Sequence, residues 1–72
     1  MNPNAKRVSL HEKIRAEMLS ELQTLSINDW LPSDRVLAKR FGVSVLTVNR
    51  AMAMLEHDGY ISRLQGKGTI FT

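Results

Sequence analysis

The stretch "SDRVLAKRFGVSVLTVNRAMAMLEHDG", Ser33 to Gly59, decides the fold. Its serines at 33 and 44 each stand before a run with helical apolar spacing, and each run closes on a glycine. A serine in that place caps a helix, because its hydroxyl accepts a backbone N–H that the first turn leaves unpaired. Asp34 adds negative charge at the positive end of the helix dipole. The spacing predicts a short helix over 33–41, with Val36, Leu37 and Phe41 facing inward. Gly42 ends it, since glycine enters the left-handed conformation without steric cost. A longer helix follows from Ser44 to Gly59, with Val48, Ala51, Met52 and Leu55 as its buried stripe. Val45, Leu46, Asn49 and Ala53 therefore lie on its other faces. Two short helices joined by a tight glycine turn make a helix-turn-helix.

Upstream, "SLHE" at 9–12 has the form of a capping box, with Ser9 at the N-cap and Glu12 reaching back. Leu10, Ile14, Met18, Leu22 and Leu25 recur every three or four residues and predict a first helix with one apolar stripe. "SINDWLP" ends it, because Asn28 and Asp29 form turns and Pro32 disfavours helical geometry at Leu31. Trp30 is expected to plug the gap between the first two helices. Met18, Met52 and Met54 read as core filler. Residues 1–8 read as a flexible arm in which Asn2, Pro3 and Asn4 break structure and Lys6 and Arg7 add charge. Downstream, "YISRL" and "TIF" are strand-like, and "QGKG" between them is turn chemistry. The predicted fold is mainly α with a small β-hairpin: a winged helix-turn-helix of three helices plus a wing, over residues 9–72.

A chain of 72 residues is one small domain. It buries only about 60 % of its unfolded surface and hardly encloses a ligand cavity of roughly 300–1,000 Å³, which favours a surface binder over an enzyme. The chain has no cysteine, so disulfides and cysteine zinc sites are excluded. His11 and His57 have no ligand-spaced partner, and the serines are helix caps. No metal, no cofactor and no catalysis are expected. No apolar run approaches the ~18 residues of a membrane span. "MNPNAKRVSLHEK" lacks the apolar segment of a secretory signal, so a soluble, cytoplasmic protein is expected. Net charge is +3, and the excess lies wholly after residue 31. That basic half suits a polyanion partner; the alternative is a solvated surface with a chance imbalance.

"GKGT", Gly66 to Thr69, is no phosphate loop of the Walker kind. Its glycines are too close together, and strand formers follow where a helix should open. Behind a helix-turn-helix the loop reads instead as a wing tip. Glycine backbone N–H groups approach an anion closely, and Lys67 supplies charge.

"LPSDRVLAKRFGVS" followed by "TVNRAMAMLEHDGYISRLQGKGTIF" resembles the N-terminal DNA-binding domain of the GntR family of bacterial transcription regulators. The resemblance covers roughly residues 9–72. Its most specific parts are Leu31-Pro32-Ser33-Asp34-Arg35, Gly42-Val43-Ser44, Thr47-Val48 and Gln65-Gly66-Lys67-Gly68-Thr69. The flavour of "VNRAM…RLQGKGT" is closest to the subgroup whose members often sense histidine-pathway or sugar metabolites. The resemblance implies a winged helix that binds operator DNA as a dimer, usually followed by an effector-sensing domain. The family usually has arginine after the serine of "GVS", and often another where Asn49 stands. Val45 and Asn49 occupy those places here, so the family's usual operator preference does not carry over. No effector segment follows Thr72, which leaves two readings: a fragment of a longer regulator, or a stand-alone one.

On this reading Asn49 pairs bidentately with an adenine, and Val45 or Leu46 touches a thymine methyl. The competing reading packs Val45 and Leu46 under the first helix or the hairpin. Ser44 and Thr47 sit where hydroxyls and N–H groups at a helix N-terminus meet phosphate. Arg35, beside Ser33 at the start of the second helix, reads as a phosphate clamp, with a surface ion pair to Asp34 or Glu56 as its alternative. Arg50 and Arg63 add charge on faces the sequence does not fix. Gln65, Gly66, Lys67, Gly68 and Thr69 form the wing contact, on phosphate or in the minor groove. The expected partner is a duplex DNA operator, bound by a repressor that is a homodimer in its full-length form. A small-molecule effector is expected only if a further domain exists. The runner-up is a winged helix that docks protein through the aliphatics of its third helix.

Overall fold

Each helix begins where a serine accepts an orphan backbone N–H. The computed structural model describes residues 9–72, so the predicted arm at 1–8, with Lys6 and Arg7, lies outside the described residues. Ser9 caps α1 (Leu10–Leu22), accepting from the Glu12 N–H at 3.2 Å. Ser33 caps α2 (Asp34–Phe41) through the Val36 N–H, also at 3.2 Å. Ser44 caps α3 (Val45–His57) through the Thr47 N–H at 3.1 Å. At α1 the box is reciprocal: the Ser9 N–H donates to Glu12 Oε1 at 3.2 Å. The Ser9 hydroxyl, and then its N–H, hold the Glu12 carboxyl below the usual carboxylate range. Gly42 closes α2 in the left-handed conformation at φ 69° and starts the turn into α3.

The core gathers where three helices and one strand meet. Ile14, Met18 and Leu22 come from α1, Leu37 and Ala38 from α2, and Val48, Ala51, Met52 and Leu55 from α3. Leu31 and Ile61 close it from the sheet side. The predicted stripes of α1 and α3 are correct except at one end. Leu10 is 51 % exposed. Arg15 meets Asp58, just past the end of α3, at 2.6 Å. Leu10 lies more than a turn before that meeting point and overhangs it. Leu25 packs on the core from outside α1, because the Thr24 and Leu25 amides bond back by three residues and tighten the chain after Leu22.

The inward face of α2 differs from expectation. Val36 is exposed, and Leu37 and Ala38 are buried with Phe41 packed beside them. The two faces share Leu37 and Phe41 and differ in Val36 against Ala38, two residues and about 200° apart around the helix. Bulk favours Val36 from sequence, but the packed face takes the small side chain of Ala38. Val36 instead stays beside Arg35 on the outer side of the first turn.

β1 (Ile61–Leu64) and β2 (Gly68–Phe71) form the predicted antiparallel hairpin, with Ile61 opposite Phe71 and Leu64 opposite Gly68. Residues 28–31 add an edge that the sequence did not announce. The Asn28 N–H donates to the Phe71 carbonyl at 2.7 Å, the Phe71 N–H to Asp29 at 3.0 Å, and the Leu31 N–H to Thr69 at 2.8 Å. Trp30 bridges Ile70. β2 is thus flanked on both sides. Trp30 does not plug the gap between α1 and α2: it stands on this edge, 58 % exposed, against Gly68. Alternation along an extended segment turns Leu31 inward and Trp30 outward. The result is a winged helix-turn-helix of three helices and a two-stranded wing. Among the described residues no helix is long and apolar enough to cross a membrane.

Candidate nucleic-acid interface

α3 is buried along one stripe and bare at its start. Val48, Ala51, Met52 and Leu55 are fully buried, whereas Val45 is 42 % and Leu46 59 % exposed. Asn49 and Arg50 are exposed too. The packing of Leu46 under α1 or the hairpin is therefore not realised. The first turns of α3 present two aliphatics, an amide and a guanidinium to solvent. Ser44 Oγ bonds Thr47 Oγ1 at 2.9 Å as well as its N–H, so both hydroxyls are held at the helix N-terminus. Thr47 is half-buried there.

The wing tip is a turn closed by the Lys67 N–H on the Leu64 carbonyl at 2.9 Å. Gly66 takes φ 75° inside it. Gly68 takes φ 124°, and a Cβ there would lie 3.3 Å from the Trp30 ring. Gln65, Gly66, Lys67 and Gly68 are exposed. Thr69 is not: it is 7 % exposed and its Oγ1 accepts from Arg63 at 3.4 Å. It belongs to the inside of the wing, against the expectation that it offers a hydrogen bond at the rim. Strand alternation from the exposed Gly68 could have signalled this.

Arg63 is a strut. Its guanidinium forks onto Asp34, with Nη1 to Oδ1 at 3.0 Å and Nη2 to Oδ2 at 2.5 Å. Its backbone N–H donates to Glu56 Oε2 at 3.0 Å. The wing is thereby tied, one residue pair short of its tip, to the first turn of α2 and the last turn of α3. The alternative reading of Arg35 fails for the same reason, since Asp34 and Glu56 both bond Arg63. Arg40 pairs with Glu21 and lies over the Phe41 ring. Arg35, Arg50 and Lys67 are exposed and have no ion pair among the described residues.

An open groove of about 790 Å³ runs between the start of α2 and the wing, and Ser33 and residues 65–69 line it together. Trp30 also borders it, a residue that sequence reasoning assigned to the interior. α2 spans about 12 Å, at 1.5 Å per residue, from this groove to the turn before α3. Ser33 and the wing loop thus border one groove at the start of α2, and the α3 N-terminus follows the other end of that helix. Arg35 sits at its near end. Among the described residues no cluster of His, Cys, Asp or Glu has the makings of a metal site.

A family model described as "Bacterial regulatory proteins, gntR family" matches residues 7–71. The chain belongs to the GntR family. It is 32 % identical over 69 residues to the histidine utilization repressor of Klebsiella aerogenes, which covers 93 % of this chain and 29 % of that protein. A solved GntR family transcriptional regulator from Listeria monocytogenes superposes with a TM-score of 0.86 at 29 % identity, over 93 % of this chain and 60 % of that one. The AraR DNA-binding domain, solved in complex with operator ORE1, has the same fold with a TM-score of 0.88 at 24 % identity, over 92 % and 83 % of the two chains. The chain spans less than a third of the length of the curated GntR relatives it matches first, between 16 and 29 %.

Proposed function

We propose that residues 9–72 are the DNA-reading domain of a bacterial transcription regulator that acts as a repressor. The first turns of α3 enter the major groove of a duplex operator, and the wing loop lies on the adjoining backbone or minor groove. The observation that carries this reading is the bare start of α3, where Val45, Leu46 and Asn49 are exposed on a helix otherwise anchored in the core. Asn49 offers the donor and acceptor that an adenine edge requires, and Val45 and Leu46 offer apolar surface to a thymine methyl. Ser33, Arg35, Ser44, Thr47 and Arg50 face phosphate, as do Gln65, Gly66, Lys67 and Gly68 on the wing.

The repressor sense is supported by relatives that carry that name. Two copies read half-sites about one helical turn apart as a homodimer of the full-length protein, and a small-molecule effector acts only if a further domain exists. Such a protein works in the cytoplasm and performs no catalysis. The exposed Val45 and Leu46 also suit a second reading, in which α3 docks a protein partner. A salt titration against mixed-sequence duplex DNA separates the two. Affinity should fall by an order of magnitude or more between ~50 and ~200 mM salt, as bound counterions are released. Affinity that hardly changes overturns the DNA reading.

A further inference from the structure

We propose that Trp30 is a DNA contact, its indole packing against deoxyribose and phosphate of the strand beside the wing. This rests on the DNA-binding reading above. Trp30 is the only tryptophan of the chain and is 58 % exposed. Its exposure is built in, because the Leu31 N–H bond to the Thr69 carbonyl and the Phe71 N–H bond to the Asp29 carbonyl fix the backbone on either side. The ring stands over Gly68, where an added Cβ would lie 3.3 Å from it and press it aside by a few tenths of an ångström. It therefore forms one wall of the groove that Ser33 and Lys67 also line.

That groove suits a polyanion. Lys67 lines it, and the Asp34 carboxylate within it is neutralised by Arg63 through both oxygens. An indole offers an apolar face to a sugar ring and an N–H to a phosphate oxygen. A bare ring of this size facing water gains most from a partner that covers it. Trp30 as a mere prop for Gly68 predicts no change at the ring when DNA binds.

The 72-residue chain is titrated at low salt with a mixed-sequence duplex. Anisotropy of a fluorescein-labelled duplex reports binding, and acrylamide quenching of Trp30 with the unlabelled duplex reports cover. Binding should rise with a drop of about twofold in the quenching constant, as a half-exposed ring becomes interface. Trp30→Ala should weaken binding about tenfold, and Trp30→Phe, which keeps an apolar face, much less. Binding with unchanged quenching overturns the proposal and leaves the DNA reading standing. No binding at all ends both. The quenching measurement uses the unaltered chain, so it holds even if the alanine variant unfolds.

Discussion

α3 and the wing, both assigned to DNA in the proposed reading, are held by different physics. α3 is fixed by apolar packing: four of its side chains are fully buried against α1, α2 and the sheet side. The wing buries only Ile61 and Thr69. Its pose comes from polar ties instead, namely the Arg63–Asp34 fork, the Arg63 N–H on Glu56, and the edge at 28–31. Packing is insensitive to salt and resists small changes of geometry. Polar ties are directional and weaken with solvent access. The element assigned to base readout is thus the rigid one, and the element assigned to the backbone is the adjustable one.

The sharpest break of that contrast is a cavity in α3. Met52→Ala should cost about 2–5 kcal/mol in urea unfolding, a large share of what a domain this small possesses. A loss no larger than that of a wing variant would contradict it. Asn49→Ala comes next and leaves the fold intact. It should lose ~1–3 kcal/mol at one base pair of a selected site and little elsewhere. Uniform loss across sequences would show that α3 does not read bases. Asp34→Ala frees the half-buried Arg63 and should cost about 1–2 kcal/mol. Amide exchange should then quicken in β1 and β2 while α3 stays protected; equal loss in both would mean that the fork does not hold the wing. Lys67→Ala should weaken binding to every duplex alike and reduce the salt slope by about 1. A sequence-dependent effect there would move readout onto the wing.

What the sequence made legible divides along the same line. Helix starts at Ser9, Ser33 and Ser44 and the stops at Gly42 and Gly59 were readable, because caps are local chemistry of a few adjacent residues. The stripe of α3 was readable because its period is long enough to average out exceptions. α2 is too short for that, so Val36 and Ala38 exchanged places. The edge at 28–31 was invisible for another reason. "INDWL" carries turn formers, and only the presence of β2 beside it supplies hydrogen-bond partners for an extended backbone. Trp30 was misplaced as a consequence, since aromatic bulk suggests burial while strand alternation turns it out. Arg63 could not be distinguished from Arg35 or Lys67 by sequence, because its partner Asp34 lies 29 residues away. Exposed cations are told apart from struts only by what faces them.

The smallest expected effect concerns a polar tie remote from the wing. Glu12 closes the capping box of α1, and its carboxyl is held below the usual range by the Ser9 hydroxyl and N–H. A carboxyl whose folded pKa is depressed stabilises the fold at pH values above its unfolded pKa. That contribution is lost as pH falls through the folded value. Glu12→Gln keeps an acceptor for the Ser9 N–H but cannot titrate. Melting temperatures of the two proteins should therefore differ slightly near neutral pH, with the natural chain higher, and converge in acid. Glu12 is solvent-exposed, so added salt should shrink the gap. A gap independent of pH would mean that the carboxylate charge contributes nothing, and that shape alone makes the cap.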